Sequence, residues 1–300
     1  MKQNTKSVML ASVAVLSWST VATAFKVAQE YLTGFELLLV ACITSLIIFT
    51  IAITVTGKWS IVKDTPRSIW INNAVLGLLN PVVYYLVLFK AYKLLPAQVA
   101  QPINYMWPIL LLVLLAIFAK QPIPRKKYIG MFMSLGGVAL ISAGSSSTGS
   151  TPVSLSGLLL AALSALLWAS FWMINNKNKN KCDATVSLFM SFLFGSIYML
   201  AASPFAGVDI SSVKGVAAGV YVGMFEMGIP FFFFSLAMRK TSNPALINQL
   251  CYLAPFISLF FISTVLGEKI VFTTYAGLIL IVAGIIFNEY LVKTKVKVKA

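Results

Sequence analysis

Charged residues are scarce in this 300-residue sequence, which has 8 acidic residues and no histidine. Only 10% of the residues are charged, against about 25% in a typical soluble domain. So few charges cannot cover a water-facing surface of this size. The composition therefore excludes a soluble globular enzyme, a disordered chain, a collagen-like fibre and a disulfide-rich secreted domain. With 59% hydrophobic residues, it points to a polytopic membrane protein.

Cysteine is almost as rare as histidine. Cys42, Cys182 and Cys251 are too few and too scattered for a disulfide framework, and no pair of them has metal-ligand spacing. Without histidine, the chain lacks the commonest metal ligand and the side chain that titrates most readily near neutral pH. The sequence therefore argues against a zinc membrane protease and a Ser-His-Asp hydrolase. We expect no metal and no cofactor.

Long apolar stretches are abundant. A helix needs about 20 apolar residues to cross the hydrocarbon core of a bilayer. Membrane β-strands would be shorter and would alternate in polarity, which these stretches do not. The sequence predicts an all-α integral membrane protein with ten spans, at about 7–29, 34–56, 69–90, 95–119, 127–145, 154–174, 184–204, 213–236, 243–266 and 270–292.

The basic residues divide unequally between the two sides of such a bundle. With a cytoplasmic N-terminus, the cytoplasmic segments hold 18 of the 23 Lys and Arg residues and the opposite side holds 5. This split follows the positive-inside rule and predicts that both termini lie in the cytoplasm. The membrane is expected to be the cytoplasmic (inner) membrane of a bacterium. The basic tail 293–299 is then an anchor on an anionic leaflet rather than a nucleic-acid site.

The chain repeats itself at a fixed offset. Tyr105-Met106-Trp107-Pro108 aligns with Tyr252-Leu253-Ala254-Pro255 at offset 147, and Trp18 aligns with Trp168 at offset 150. The repeat predicts two five-helix halves, 1–146 and 151–300, joined by a small polar linker at 145–152. It also argues against the alternative that the first span is a cleaved signal peptide ending near Ala22-Thr23-Ala24.

Five spans is an odd number, so the two halves insert with opposite orientation. Inverted repeats are typical of transporters, in which the substrate site lies at the repeat interface near the middle of the bilayer. In such carriers one half rocks against the other to expose the site to each side in turn. The sequence therefore predicts a carrier of a small molecule, embedded in a lipid bilayer and compatible with a monomer.

Several motifs resemble a known family. The layout of five plus five spans resembles the drug/metabolite transporter superfamily, in its EamA branch. Asn104-Tyr105-Met106-Trp107-Pro108 resembles the fourth-span motif of aromatic amino acid exporters of the YddG type, and Gly267-Glu268 resembles the common EamA pattern at the end of the ninth span. The apolar region 40–43 departs from the family, whose halves often carry a basic residue there. The resemblance implies export of amino acids or related metabolites, with lipophilic or aromatic cations as the alternative cargo.

Glu226 is the acid expected nearest the middle of the membrane. A polar group at this depth is costly and is a functional candidate by default. At offset 146 Glu226 aligns with Asn80, which is also expected near the midplane. We expect both to line the pathway, with Glu226 binding an amino group or a proton. The competing interpretation is a protonated glutamate that only packs the bundle.

Aromatic and amide side chains are expected around these two residues. Tyr84 lies four residues beyond Asn80 and shares its helix face. Aromatic faces suit flat apolar cargoes by stacking and ammonium groups by cation–π contact, although helix packing explains any single one of them. The predicted substrate-binding residues are Trp18, Asn80, Tyr84, Asn104, Tyr105, Trp107, Trp168, Glu226, Gln249 and Tyr252.

Other classes of membrane protein fit less well. A membrane enzyme lacks support because the sequence has no phosphate-binding glycine loop, no acidic pair with metal spacing and no loop large enough for a cofactor domain. A channel would show rings of charge or a repeated carbonyl filter, and neither is present. Phe231–Phe234 is expected to be a lipid or packing face, and Pro81 and Pro230 are expected to interrupt their helices.

Overall fold

The computed structural model describes residues 2–118, 120, 123–146, 153–178, 182–241 and 244–288. Within these residues the chain is helical and contains no β-strand. The α-helices, numbered α1 to α15, are Lys2–Ala28, Gly34–Val55, Trp59–Asp64, Arg67–Gly77, Tyr84–Leu94, Ala97–Asn104, Trp107–Phe118, Lys127–Ser146, Leu155–Asn178, Ala184–Ala202, Val213–Val222, Ile229–Lys240, Pro244–Cys251, Ala254–Leu266 and Phe272–Ile286.

The predicted ten-helix membrane fold is confirmed. Eight helical stretches of the described chain are long and apolar enough to cross a membrane, and two shorter apolar helices, Ala254–Leu266 and Phe272–Ile286, complete the set. The third and eighth spans, Arg67–Leu94 and Val213–Lys240, are the longest at 28 residues each. Both are longer than a straight crossing requires, and both are interrupted.

Helix ends follow local sequence signals. Thr33 and Glu36 form a capping box at the start of α2, in which each side chain accepts a hydrogen bond from the other residue's backbone N–H. Asp183 caps α10 by accepting from the N–H groups of Thr185 and Val186. Gly267 ends α14 in the left-handed conformation, at φ 67°, which glycine adopts without steric cost.

The fifth and tenth spans, α8 and α15, run antiparallel and meet through glycine. Gly130 lies against the backbone of Gly284, and Gly137 lies against the backbone of Gly277. At offset 147, Gly130 corresponds to Gly277 and Gly137 to Gly284, so exchanging the halves converts one contact pair into the other. This is the geometry expected of halves that insert with opposite orientation, and glycine at these positions lets the two helices approach closely.

Exchanging the two halves also relates the contacts of the other helices to one another. The first span, α1, packs against α12 and α14, while its counterpart α9 packs against α5 and α7. The second and seventh spans, α2 and α10, pack against each other, with the rings of Phe49 and Phe192 5.2 Å apart. Each span of one half is therefore buried mainly against the other half, which places the repeat interface at the centre of the bundle.

Four spans are broken, at equivalent places in the two halves. The third span passes through a π-helical segment at Leu78–Val83, and the eighth through one at Gly223–Gly228. Turns interrupt the fourth span at 105–106 and the ninth at 252–253. The interruptions predicted at Pro81 and Pro230 are thus present, within the first π-helical segment and directly after the second.

Polar contacts join the loops into two groups, one at each end of the bundle. At the Asp183 end, Asp183 pairs with Lys58 at 2.9 Å and with Arg239 at 2.6 Å. At the Glu268 end, the Glu268 carboxylate accepts from the backbone N–H groups of Ala97 and Gln98, at 2.8 and 3.3 Å. Every residue in each group belongs to segments that the charge pattern predicts on one side of the membrane.

The glycine contact between α8 and α15 yields a stability prediction. A Cβ at Gly137 would collide with the Gly277 carbonyl, whereas a Cβ at Gly136 would meet only Leu280 Cδ2 at 3.5 Å, an ordinary contact. We expect Gly137→Ala to lower the free energy of unfolding by about 1–3 kcal/mol through overpacking. Gly136→Ala is the matched control and should have little effect. Unfolding of the purified variants in detergent measures both, and equal values would contradict the predicted contact.

Candidate substrate-binding site

Glu226 lies inside the bundle, within the π-helical segment between α11 and α12. The residue is 8% exposed. Its Oε1 atom accepts a hydrogen bond of 3.0 Å from the hydroxyl of Tyr85, on α5 of the other half. Its Oε2 atom is buried and has no hydrogen-bond partner among the described residues. An acid in this position has acceptor capacity that neighbouring helices leave unused.

Side chains of the first half hold the backbone around Glu226. A π-helical segment disturbs the regular ladder of backbone hydrogen bonds, and the carbonyls it frees need partners inside a membrane. The indole N–H of Trp18 donates to the Glu226 carbonyl at 3.2 Å, and the Ser45 hydroxyl donates to the Gly223 carbonyl at 2.9 Å. The position of Glu226 is therefore set by α1 and α2 as well as by its own span.

Asn80 occupies the equivalent break in the third span. Its backbone is non-helical, with φ −143° and ψ 115°, as expected for a residue that precedes a proline. Asn80 is 2% exposed, and its Oδ1 atom has no hydrogen-bond partner among the described residues. Pro81 packs against Gly195 of α10, where a side chain would collide with the proline ring. The predicted pair, Asn80 and Glu226, thus shares burial and an unused acceptor.

An aromatic cluster adjoins Glu226 and draws on both halves. It consists of Trp18, Tyr84, Tyr85, Trp168 and Phe231. The Tyr84 ring lies 4.8 Å from Trp168 and 4.6 Å from Tyr85, and Phe231 lies 5.7 Å from Trp168 and 6.0 Å from Trp18. Trp18 and Tyr85 are the two members that also bond to Glu226, so the acid and the aromatic rings form one structural unit.

A chain of hydrogen bonds fixes Tyr84 within the cluster. Its hydroxyl donates to Asn104 Oδ1 at 3.2 Å, and Asn104 Nδ2 donates to the Ser164 hydroxyl at 2.9 Å. Ser164 in turn donates to the Ala161 carbonyl within α9. The chain runs from the third span through the fourth to the sixth and crosses the repeat interface. It orients the Tyr84 ring against Trp168.

The remaining predicted residues lie farther along the fourth and ninth spans. Trp107 stacks on Trp172 at 6.1 Å, and Trp172 contacts Trp168 at 6.2 Å, which connects Trp107 to the cluster. Tyr105 is half-buried at the break of the fourth span, and Tyr252 is buried at the break of the ninth. The side chain of Gln249 lies outside the part of the chain that the structure describes.

Several contacts of the site are not apparent in the sequence. Tyr85 is fully buried and bonds to Glu226, although only its neighbour Tyr84 is on the predicted list. Phe231 belongs to a run expected to face lipid or to pack, and the structure places it against both Trp18 and Trp168. Helical spacing gives no signal for Phe231, since residues five apart, such as Glu226 and Phe231, do not share a face of an α-helix.

Among the described residues, no group of three or more His, Cys, Asp or Glu side chains could hold a metal ion. Both ion pairs formed by the described residues involve Asp183, and none joins a basic side chain to Glu226. The site therefore offers one acid, several amide and hydroxyl groups, and aromatic faces. Such a set can bind a cationic group and a flat apolar group side by side.

A bundle of ten spans that is broken around a buried acid is typical of membrane carriers. The EamA-like transporter family model matches residues 5–143 and 155–290, and the chain belongs to this family of multi-pass membrane transporters.

Individual relatives are distant. The chain is 26% identical to the uncharacterized transporter YvbV of Bacillus subtilis (strain 168), over 77% of this chain and 74% of that protein. It is 25% identical to the aromatic amino acid exporter YddG of Ancylobacter novellus, over 64% of this chain and 66% of that protein. A crystal structure of a protein that is 22% identical in sequence aligns over 96% of this chain and 97% of that chain. The TM-score of 0.68 shows a shared fold.

The Tyr85–Glu226 hydrogen bond yields a second prediction. Tyr85→Phe keeps the ring but removes the only described donor to the carboxylate, and we expect it to lower the free energy of unfolding by about 1–3 kcal/mol. Tyr92→Phe is the matched control, because the Tyr92 side chain is also buried on α5 but forms no hydrogen bond within the described residues. A double-mutant cycle with Glu226→Leu should show coupling. Additive effects would argue against the bond.

Proposed function

We propose that this protein exports amino acids, aromatic or neutral, or closely related small metabolites from the cytoplasm by alternating access. One observation carries the proposal: a buried carboxylate with an unused oxygen adjoins an aromatic cluster that both halves build. The distant relative YddG, an aromatic amino acid exporter, supports the choice of cargo. The family membership supports transport itself.

The site suggests how such a cargo binds. Glu226 Oε2 accepts from the ammonium group of the cargo, which supplies the positive charge that a buried carboxylate needs. The side chain of the cargo stacks on Trp168 and Tyr84, since aromatic pairs favour offset or tilted contact. Asn80 Oδ1 is a second unused acceptor in the equivalent break of the third span. The proposed set is completed by Trp18, Asn104, Tyr105, Trp107, Gln249 and Tyr252.

The architecture suggests how the site changes sides. We assign the two domains to residues 1–146 and 151–300, so that the substrate site lies between them. The four broken spans are each divided near this site into two helical segments, which we call arms. Each arm can tilt without stretching a continuous helix. Rocking of one half against the other then opens one end of the bundle while the other end closes.

The proposed orientation follows from the charge pattern. The Asp183 end faces the cytoplasm, because 18 of the 23 basic residues belong to segments on that side, and both termini lie there. The Glu268 end faces away from the cytoplasm. We assign this chain to the cytoplasmic membrane of a bacterium, since the relatives named above come from bacteria.

Lipophilic or aromatic cations are the second candidate cargo. Among the described residues no Lys or Arg pairs with Glu226, and the described ion pairs lie at the Asp183 end. No ion pair of the described residues thus offers the carboxylate of an amino acid a basic side chain at Glu226, whereas a simple cation needs none. Flux of both cargo types into proteoliposomes, measured with mutual competition, separates the candidates. Transport of cations with no competition from any amino acid would replace the first proposal by the second.

Substitution of the central acid tests the proposed site. Glu226→Gln keeps an acceptor for Tyr85 but removes the negative charge. We expect it to reduce export at least tenfold in reconstituted vesicles, the loss that corresponds to about 1.4 kcal/mol of cargo binding. Glu226→Asp should retain part of the flux. Glu30→Gln is the control, since Glu30 is exposed outside the membrane spans. Unchanged export by a correctly inserted Glu226→Gln variant would remove Glu226 from the site.

The aromatic cluster yields a prediction about selectivity. Trp168→Leu removes a ring that contacts Tyr84 and Phe231, so aromatic cargoes lose a stacking surface that aliphatic ones never use. We expect the ratio of phenylalanine to leucine flux to fall about three- to tenfold, since an aromatic pair contributes about 0.5–1.5 kcal/mol beyond its buried area. Trp70→Leu, which disturbs a ring contact with Phe194, is the control. An unchanged ratio would mean that Trp168 only packs.

A further inference from the structure

Asp183 is the centre of a charge network at its end of the bundle. One carboxylate oxygen accepts from Lys58 Nζ at 2.9 Å and from the N–H groups of Thr185 and Val186. The other oxygen accepts from Arg239 Nη2 at 2.6 Å. Burial alone would raise the pKa of Asp183, but the hydrogen bonds and charges of Lys58 and Arg239 outweigh it and lower the pKa below its usual range. Asp183 is therefore ionised at neutral pH.

The two sides of this network differ in how firmly they are held. Lys58 and Asp183 are 17% and 11% exposed, and they connect α2 to α10, which pack against each other along the bundle. Arg239 is 48% exposed and reaches Asp183 from the last turn of α12. If Arg239 leaves, the carboxylate keeps Lys58 and the N-terminus of α10. Separation of Arg239 therefore leaves no buried charge unpaired. Such an exposed ion pair is weak.

Arg239 belongs to α12, the helix that forms the part of the eighth span beyond Glu226. This helix carries Phe231 of the aromatic cluster near its start and Ala237 one turn before its end. Ala237 is fully buried and packs in a small cluster with Ala11 of α1 and Ile247 of α13. Because Ala237 faces α1 and α13, it is uncovered when the arm moves away from these two helices.

The opposite end of the bundle lacks an equivalent ion pair. At offset 146, Arg239 corresponds to Lys93 in the last turn of α5. Lys93 forms no ion pair with any described residue, and Glu36, at the start of α2, instead accepts from the backbone N–H of Asp209 at 2.7 Å. The arms of the third and eighth spans are otherwise equivalent, so the ion pair is a difference between the two ends.

We propose that the Arg239–Asp183 ion pair is a latch that ties the second arm of the eighth span to the start of α10, keeps it packed against α1 and α13, and closes the Asp183 end of the transport pathway. The latch rests on the proposed alternating access, and it adds a residue-level device that the repeat symmetry does not supply. When the pair separates, Arg239 enters water, Asp183 stays paired with Lys58, and the arm tilts outward. The occupancy of the pair then sets how often this end is open.

Accessibility of Ala237 tests the latch without any cargo. The reporter is Ala237→Cys in a full-length chain whose three native cysteines are replaced by Cys42→Ala, Cys182→Ser and Cys251→Ser. A membrane-impermeant maleimide is added to vesicles of each orientation, and the labelling rate is measured. We expect Arg239→Gln to raise the rate several-fold, and only in vesicles that expose the Asp183 end. Arg239→Lys should restore most of the protection.

Lys240→Gln is the matched control, because Lys240 is an exposed neighbour that forms no ion pair with any described residue. Equal labelling of the Arg239→Gln variant and its parent would overturn the latch. An equal rise in the labelling rate with Lys240→Gln would also overturn the latch, since the loss of any positive charge at this end would then have the same effect.

Salt provides a measurement on the unsubstituted ion pair. Raising the ionic strength from about 0.1 M to about 1 M shortens the Debye length from about 10 Å to about 3 Å and weakens an exposed pair. We expect faster labelling of the Ala237→Cys reporter at high salt, and its absence would contradict the latch even if Arg239→Gln failed to fold. A protein that exports nothing but shows this labelling pattern would refute the proposed cargo and not the latch.

Discussion

Inside a bilayer, each backbone polar group has to find its hydrogen-bond partner within the protein, and this chain interrupts four of its ten spans. The interruptions are tolerated because they lie at the repeat interface, where side chains of the other half can reach them. Trp18 and Ser45 satisfy carbonyls of the break in the eighth span, and both belong to the first half. The need to satisfy backbone hydrogen bonds thus links the break to the repeat interface and fixes the position of Glu226. The aromatic cluster forms at the same place, where the two halves meet.

The repeat symmetry accounts for the packing of the helices, and departures from the symmetry determine which polar groups lie at the two breaks. Gly130, Gly137, Gly277 and Gly284 exchange under the repeat and keep the fifth and tenth spans in close contact. Within this frame, one break carries an acid where the other carries the amide of Asn80. A symmetric pair of acids would place two like charges at the centre of the membrane, which is far more costly than one. In the proposed site, a single acid would supply one charge and favour one positive group.

The sequence predicts the spans well because each depends on local composition. Apolar length fixes the helices, and the charge pattern correctly groups Lys58 and Arg239 at one end, where both meet Asp183. Proline and a polar residue within apolar runs likewise indicate the breaks. The pairing of Tyr85 with Glu226 cannot be read in this way, because it depends on the rotation of α5 about its axis against another half. Tyr84 and Tyr85 are adjacent, and only tertiary packing decides which hydroxyl meets the acid and which meets Asn104.

The two ends of the bundle are held by different kinds of interaction, and this difference bears on how a symmetric fold can favour one direction. At the Glu268 end the contacts are mainly hydrogen bonds between carboxylates and backbone N–H groups, which need close and fixed geometry. At the Asp183 end an exposed arginine acts through charge, which falls off more gradually with distance. An end closed by charge can begin to open before its contacts are lost. Exchange of the repeats therefore leaves the fold unchanged, but under the proposed alternating access the two ends would differ in the energy of opening.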